Sequence, residues 1–234
     1  MEIDQQQPAR RTEADLLVPH EPVRRFGQDT HILTIEGLSR RFGAHEVVRS
    51  LDLTAEPGER IALCGPNGSG KTTVLRCIAG TVTPDGGRIS IGGHPAGSLE
   101  ARRLVGASFS QERSFYLRLT GHDNLLFFAR LRVSGKREAL RRVEALEEEL
   151  ELATIVRERV DRCSTGMTQQ LAFARALLGE PRLLLLDEPT RSLDHDAAER
   201  LWRALDRRER LALVIATHRP DDVERCESQV DLPV

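Results

Sequence analysis

The sequence predicts an α/β fold that carries an inserted α-helical subdomain, and three observations lead to this prediction. Short apolar strands alternate with amphipathic helices in the first and last parts of the chain, which is the order expected for helices packed on a mostly parallel sheet. Between about residues 115 and 180 the apolar period is helical. A glycine-rich loop connects one strand directly to a helix. No internal repeat is present, so we expect one such unit and not a tandem pair.

The beginning of the chain predicts an arm followed by an antiparallel β region. Residues 1–30 are rich in Gln, Arg, Pro and acidic residues and have no sustained apolar period, so we expect them to be disordered or loosely attached. From residue 31, HILTIEGL alternates apolar and polar residues as a half-buried strand does, and the segment before Asp52 resembles a second strand. The folded domain is therefore expected to span residues 31–234.

The later elements follow from apolar periodicity. Strands are predicted at residues 60–64, 88–91, 105–110, 183–186 and 211–216, and helices at about 72–79, from about Asp194 and near 221–226. In the insert, Thr120 is suited to cap a helix. A second helix over 136–152 has its acidic run 147–149 on the solvated side and an apolar stripe of Leu140, Val143, Leu146 and Leu150.

Composition narrows the classes of function. The 34 Lys+Arg residues nearly balance 36 Asp+Glu, which excludes a chain-wide basic field for nucleic-acid phosphates, and aromatic residues are only 4%. No apolar run approaches the roughly 18 residues of a spanning helix, and the N-terminus lacks the apolar core of a signal peptide. Four cysteines form no CxxC pair, so reduced thiols are expected. We therefore expect a cytoplasmic protein whose membrane role, if any, comes through a partner.

The glycine-rich loop predicts a phosphate-binding site. The sequence GPNGSGKT over residues 65–72 fits GxxxxGK[ST] without a mismatch, and it lies after a predicted strand and before a predicted helix. Its glycines let backbone amides curl around an anion at the positive end of the helix. Lys71 can reach the β- and γ-phosphates, and the Thr72 hydroxyl can ligate Mg²⁺.

A second motif supplies carboxylates. The apolar run 183–186 ends in Asp187 and Glu188. In P-loop proteins a buried strand delivers an Asp that holds the Mg²⁺ shell, a role that fits Asp187. Glu188 projects differently and is suited to polarise an attacking water as a general base. Together with the phosphate loop these residues define a Mg-NTP site.

Further segments resemble those of the ATP-binding cassette (ABC) ATPases. Residues 163–194 resemble, in order, the family's signature motif, Walker B motif and D-loop; their sequence is CSTGMTQQLAFARALLGEPRLLLLDEPTRSLD. Gln111 matches the Q-loop glutamine, and His218 in LVIATHRP matches the switch histidine. Phe42 matches the aromatic residue that stacks on adenine, with a simple core aromatic as the alternative. The resemblance implies a P-loop NTPase (RecA-like) core with the inserted helical subdomain and the N-terminal antiparallel β region.

The family's roles carry over to matching positions. The resemblance implies that Glu188, His218 and Gln111 act in catalysis and that Thr72, Gln111 and Asp187 face Mg²⁺. Ser164 and Gly166, at a helix starting near Met167, would contact the γ-phosphate held by a second subunit, and Asp194 would cross the dimer interface. The implied ATP-binding residues are Phe42, Gly65, Pro66, Asn67, Gly68, Ser69, Gly70, Lys71, Thr72, Thr73, Ser164, Gly166 and Asp194.

The resemblance also implies partners and a function. ATP and Mg²⁺ are the expected cofactors, and the expected partners are a transmembrane permease and a second ABC ATPase subunit, identical or different, with no nucleic acid. The chain would then be the ATP-hydrolysing subunit of a transporter, held at the inner face of the cell membrane through the permease. Because STGM-type signatures resemble those of a subset of exporter ATPases, export is the expected direction.

Departures from the family pattern leave the strength of hydrolysis open, and the closing strands of a typical cassette are expected to be short or missing. Thr165 and Met167 replace the first Gly and the Gln of the common LSGGQ form, Gln170 stands where Arg is usual, and Cys163 where an apolar residue is usual. A regulatory cassette with weak hydrolysis is one alternative, and a soluble ABC ATPase without a transport role is the other. The apolar cluster 115–117 has two interpretations, internal packing or a groove for a membrane subunit.

Overall fold

The computed structural model describes residues 31–109 and 114–233 of the chain. The predicted arm at residues 1–30 and Gln111 lie outside the described residues, as does the last residue of the strand predicted at 105–110. The strands, in chain order, are β1 Leu33–Phe42, β2 His45–Ala55, β3 Arg60–Cys64, β4 Gly86–Ile91, β5 His94–Pro95, β6 Val105–Ser108, β7 Leu183–Asp187, β8 Ala212–Ala216 and β9 Ser228–Asp231. The α-helices are α1 Lys71–Ile78, α2 Leu99–Leu104, α3 Gly121–Arg132, α4 Lys136–Glu149, α5 Thr165–Leu177, α6 His195–Asp206 and α7 Pro220–Val223.

The strands form two sheets. The first is antiparallel with the order β2-β1-β4-β5, and it confirms the predicted N-terminal β region. The second is parallel with the order β6-β7-β8-β3-β9. Every residue of β7 and β8 is buried, which is the pattern of central parallel strands covered on both faces. The α/β prediction is therefore confirmed.

β7 lies between two hydrophobic clusters and contributes alternate residues to each. Leu183 and Leu185 belong to the cluster that joins the antiparallel sheet to α1. Leu184 and Leu186 belong to the cluster shared with the helices between β6 and β7. Since successive side chains of a strand point to opposite faces, one apolar run of four residues supports both layers. This packing holds the end of β7, where Asp187 lies, in the middle of the protein.

All described secondary structure between β6 and β7 is helical, apart from an isolated bridge between Thr120 and Arg159. Thr120 caps α3 as predicted, because its hydroxyl accepts a hydrogen bond from the backbone N–H of Asp123 at 3.1 Å. The predicted apolar stripe of α4 is wrong at Leu140, which is 37% exposed. The buried stripe runs instead through Ala139, Val143 and Leu146, because these positions are spaced four and three residues apart on one narrow face.

Two helix boundaries differ from the expectation, and the closing strand is short as expected. α5 begins at Thr165 and not near Met167, because the Ser164 hydroxyl accepts from the backbone N–H of Met167 and caps the helix two residues earlier. The helix after His218 begins one residue before the predicted span and ends earlier, at Val223. A closing strand is present, since the four-residue β9 pairs in parallel with β3.

The acidic run at residues 147–149 is only partly solvated, in contrast to the prediction. Glu149 accepts two hydrogen bonds from the Arg208 guanidinium, at 2.8 and 2.7 Å, and so ties the end of α4 to the segment after α6. Glu147 pairs with His122 at 2.7 Å. Glu148, between them, is exposed. The two outer carboxylates therefore fasten the helical insert, a role that apolar periodicity does not reveal.

We expect Glu149→Gln to lower the free energy of unfolding by roughly 1–2 kcal/mol at pH 7, because a charge-assisted two-point bond is lost. The Arg208 hydrogen bonds hold the pKa of Glu149 below its ordinary value of 4.5. A lowered pKa in the folded state means that this stabilisation is present above pH 4.5 and is lost as the pH falls through the folded-state value. Urea unfolding at pH 7 and at low pH measures both effects.

Glu148→Gln is the matched control for this prediction, because Glu148 is the exposed neighbour on the same helix. The two variants should differ at pH 7 and converge on acidification. Equal stability of the two variants at pH 7 would contradict the assignment of the Arg208 bond as stabilising.

Candidate functional site

The phosphate loop, residues 65–72, connects β3 to the N-terminus of α1. Gly65, Gly68 and Gly70 adopt φ of 143°, 90° and 93°, which L side chains rarely adopt. A Cβ on Gly70 would lie 2.8 Å from the carbonyl oxygen of Val47. Conformation therefore favours glycine at all three positions, and at Gly65 and Gly70 space requires it as well.

The loop fits a phosphate group. The first turn of α1 has no side-chain cap, so its backbone N–H groups can serve an anion. The buried Ser69 hydroxyl has no hydrogen-bond partner among the described residues. Lys71 is only 7% exposed, and its ammonium donates to the carbonyl oxygens of Gly65 and Pro66 at 2.6 and 2.9 Å. The loop therefore combines hydrogen-bond donors that lack partners with a buried positive charge. A polyphosphate can accept from these donors and pair with this charge.

Thr72 and Asp187 meet at the carboxyl end of β7. The Thr72 hydroxyl lies 3.2 and 3.1 Å from the two Asp187 carboxylate oxygens, although 115 residues separate them in sequence. Asp187 is only 4% exposed. A hydroxyl and a carboxylate are oxygen ligands of the kind that Mg²⁺ prefers, so the pair fits the predicted metal site beside the phosphate loop.

Glu188 is held in an unusual backbone conformation directly after β7. Its φ is 51°, in the left-handed region that costs a non-glycine residue roughly 1–3 kcal/mol and occurs often at active sites. The backbone N–H donates to Ala216 O at 2.8 Å, which anchors it to β8. The side-chain amide of Gln169 donates to the carbonyl oxygens of Glu188 and Pro189, at 2.7 and 2.6 Å. Two neighbouring elements, β8 and α5, therefore hold the residue that follows β7.

The structure brings Glu188 and His218 together as a hydrogen-bonded pair. His218 Nδ1 lies 2.7 Å from Glu188 Oε1, and the His218 side chain is 54% exposed whereas that of Glu188 is 10% exposed. Glu188 Oε2 is buried and has no partner among the described residues. One oxygen of the carboxylate is thus fixed, and the other remains as an acceptor.

Register in the parallel sheet explains this meeting. Asp187 of β7 and Leu63 of β3 both pair with Ala216 of β8, so the three strands end at the same level. The residues that follow, including Glu188 and the phosphate loop, therefore emerge side by side at the carboxyl edge, where ligands of α/β folds bind.

The signature residues lie at the start of α5. Ser164 is exposed and caps the helix, as described above. Gly166 packs so closely on the segment after β7 that a Cβ would lie 2.5 Å from Ser192 O. Asp194 is also exposed and caps α6, accepting from the backbone N–H of Ala197 at 2.8 Å. Cys163 is half-buried, and burial raises the pKa of its thiol.

The positions of the aromatic residues bear on the two interpretations of Phe42 and of the cluster 115–117. Phe42 is 50% exposed at the end of β1, with the Arg40 guanidinium 4.7 Å from its ring centroid, so the interpretation as a core aromatic is wrong. In the cluster 115–117, one residue packs internally and the other two are exposed. Phe115 is buried against Phe128, with ring centroids 6.1 Å apart, whereas Tyr116 and Leu117 are 49% and 58% exposed.

Gln169 is a site residue that the sequence analysis missed. Its neighbour Gln170 was noted as a departure from the family, and the structure shows Gln170 bonding only weakly within its own helix, at 3.5 Å to Gly166 O. Gln169 instead reaches Glu188 and Pro189. Nothing in the local pattern distinguishes the two adjacent glutamines, because both follow the same polar stretch at the start of a helix.

The parallel sheet, the phosphate loop, the paired acids after β7 and the serine-capped helix together define an ATP-binding cassette, a class of P-loop ATPases. The chain belongs to the ABC transporter family, whose model matches residues 48–191. Among the residues described, no helix is both long enough and apolar enough to cross a bilayer.

Individual relatives are similar over most of the chain. It is 37% identical over 199 residues to the uncharacterized ABC transporter ATP-binding protein YdbJ of Bacillus subtilis, covering 82% of this chain and 63% of YdbJ. It is 33% identical to the ABC transporter ATP-binding protein NatA of the same organism, covering 85% of each chain. A solved structure of the ATP-binding cassette MJ0796, dimeric and bound to ADP and Pi, superposes with a TM-score of 0.76 at 25% identity over 86% of this chain and 94% of that one.

The relatives differ in length and in direction of transport. The chain spans 63% of YdbJ and 58% of a sulfate/thiosulfate import ATP-binding protein from Synechococcus elongatus, to which it is 36% identical over 85% of its own length. It is 35% identical to a Nod factor export ATP-binding protein from Rhizobium sp., over 82% of its own length and 64% of that protein. Similarity at this level therefore includes both importers and exporters.

Proposed function

We propose that this chain binds and hydrolyses ATP as the nucleotide-binding subunit of a transporter and so drives a separate transmembrane permease. The single observation that carries the proposal is the Glu188 carboxylate, which bonds His218 through Oε1, has a buried Oε2 without a partner among the described residues, and directly follows Asp187 of the Thr72–Asp187 pair. An acceptor of this kind beside a phosphate loop is suited to take a proton from water during phosphoryl transfer.

The residues of the phosphate loop are proposed to bind the triphosphate. Backbone N–H groups at α1, the Ser69 hydroxyl and the Lys71 ammonium supply donors and positive charge. Thr72 and Asp187 are proposed to hold Mg²⁺, which when bound offsets the negative charge of the phosphates. Glu188 then orients the attacking water and accepts its proton, while His218 fixes the direction of the Glu188 carboxylate.

A second ATPase subunit is proposed to complete the site. Ser164 and Asp194 are exposed at the starts of α5 and α6. The exposed N-terminal end of α5 at Ser164 favours contact with the phosphates of ATP held by another copy or by a related chain, and Asp194 is proposed to cross the interface between the two chains. The MJ0796 cassette, which is dimeric in its ADP- and Pi-bound state, supports this arrangement. The complex would lie at the cytoplasmic face of the membrane through the permease.

Export is the proposed direction of transport. It is supported by the STGM sequence at residues 164–167 and by the similarity to a Nod factor export protein. In vesicles that carry the complex with its ATP sites outward, export predicts ATP-dependent uptake of cargo into the lumen. ATP-driven release of preloaded cargo would contradict this direction.

The test of the transport role uses Glu188→Gln protein, in which slowed hydrolysis should preserve the ATP-bound dimer. Detergent-solubilised native membranes are passed over this protein with and without ATP·Mg²⁺, with Lys71→Ala as the control whose ATP binding is expected to be much weaker. We expect Glu188→Gln protein to retain a polytopic membrane protein and to co-purify with it. The complex of this membrane protein with the wild-type subunit should hydrolyse ATP. Retention of ribosomes or DNA, or of nothing, would contradict the proposal.

Phe42 is proposed to stack on the adenine ring, since it is the half-exposed aromatic residue at the end of β1. We expect Phe42→Ala to raise KM for ATP about tenfold with little change in kcat, because base–aromatic stacking contributes roughly 1–3 kcal/mol to binding. Steady-state hydrolysis measures both constants. Tyr116→Ala is the matched control, as Tyr116 is equally exposed in the helical insert. The same KM for both variants would contradict the stacking role.

A further inference from the structure

We propose that Asp222 is a positioning residue that holds Glu188 and His218 in the geometry needed for hydrolysis. This inference rests on the proposed ATPase function. Asp222 lies in α7 and is only 1% exposed, although its neighbour Asp221 has a side chain that is 82% exposed. The sequence did not distinguish Asp222 from Asp221, because the two are adjacent residues of the same type.

The Asp222 carboxylate joins two segments of the site. The Thr190 hydroxyl donates to it, with distances of 2.9 and 2.8 Å to the two oxygens, and the Thr217 hydroxyl donates to Oδ2 at 3.0 Å. Both threonines are buried, at 2% and 0% exposure. Thr190 follows Glu188 by two residues, and Thr217 immediately precedes His218.

The result is a closed ring of contacts. Glu188 bonds His218, the chain leads from His218 back to Thr217, Asp222 bridges Thr217 to Thr190, and the chain leads from Thr190 back to Glu188. The Arg219 backbone N–H donates to the Thr217 hydroxyl at 3.1 Å, so this hydroxyl is left to donate to the carboxylate. A closed ring restricts both partners of the Glu188–His218 bond at the same time.

A carboxylate suits this task despite the cost of its burial. The two oxygens of Asp222 accept from both hydroxyl groups, with the Thr190 hydroxyl near both oxygens and the Thr217 hydroxyl on Oδ2, whereas an amide offers one acceptor oxygen and an apolar side chain none. Burying an acidic side chain this deeply is costly, so packing alone does not account for it. Because Glu188 has a left-handed backbone, the direction of its side chain depends on how the next residues are tied down.

The experiment compares kcat and KM for ATP in full-length variants. We expect Asp222→Ala to lower kcat about 10- to 100-fold with KM within about twofold of wild type, since the phosphate loop and Phe42 are untouched. Thr190→Val, a milder change that removes one donor, should lower kcat in the same sense, and Thr190→Ser, which keeps the hydroxyl, should restore it. Asp221→Ala, the matched control, should match wild type.

A double-mutant comparison separates positioning from a general structural role. In a His218→Ala background, Asp222→Ala should lower kcat by less than about twofold further, because the pair that it aligns is already absent. The inference would be overturned if the losses of kcat in the double variant multiply, or if KM rises in parallel with the fall in kcat. It would also be overturned if both Asp222→Ala and Thr190→Val keep wild-type kcat. Absence of hydrolysis in the wild-type protein would instead overturn the proposed ATPase function, and the inference with it.

Discussion

Replacement of Glu188 by glutamine is expected to lower kcat for ATP hydrolysis by roughly 10²- to 10⁴-fold while ATP binding persists. Glutamine keeps the size of the side chain and an oxygen that can face His218, but it cannot accept a proton from water at neutral pH. The phosphate loop, with Lys71 and Ser69, is unchanged by the substitution. Phosphate release and equilibrium binding of ATP, measured on the same preparation, check the two halves of this expectation.

Glu224→Gln serves as the control for Glu188→Gln, because Glu224 is an exposed acid soon after His218. This control should hydrolyse ATP at the wild-type rate. If Glu188→Gln retains wild-type kcat, Glu188 is not the general base. If it loses ATP binding together with kcat, its effect is on the structure of the site.

Lys71→Ala is expected to weaken ATP binding roughly 10²-fold, and hydrolysis at ordinary ATP concentrations should fall accordingly. A hydrogen bond to a charged group contributes about 1.5–3 kcal/mol, and the Lys71 ammonium is the one positive side chain of the phosphate loop. Its loss also leaves the carbonyl oxygens of Gly65 and Pro66 without the donor that they have now. Titration with a fluorescent ATP analogue measures the change in Kd.

The composition offers a natural control for this second substitution. Lys136 is the only other lysine in the chain, and it is exposed at the start of α4. Lys136→Ala should bind ATP as the wild type does. Equal affinity of the two alanine variants would rule out the proposed contact between Lys71 and the phosphates, whereas weak binding by both would point to a general loss of folding.

The sequence predicted the fold well where structure is local. The strand at 60–64, the loop at 65–72 and the helix that follows are adjacent in the chain, so their order alone indicates how they fold. The apolar run at 183–186 likewise identified β7. Thr120 was predicted correctly as a cap, and a cap is local because its hydroxyl bonds a backbone N–H only three residues away, that of Asp123.

The errors arise where a neighbouring element decides the outcome. Leu140 satisfies the helical period of α4 but lies beside the narrow stripe that the insert buries. The acids 147 and 149 look solvated until His122 and Arg208, which are far away in sequence, are packed against them. The roles expected for Ser164, Gly166, Asp194 and Gln111 come from the family resemblance alone, because periodicity cannot provide them.

The sequence by itself determined the phosphate loop and the two carboxylates after β7, because each is a contiguous motif on a strand–loop connection. The tertiary structure decided which side chains meet. Thr72 reaches Asp187 across 115 residues, and Glu188 reaches His218 across 30, because the parallel register ends β3, β7 and β8 at one level. The role inferred for Asp222 likewise depends on burial, since only packing distinguishes it from the exposed Asp221 beside it.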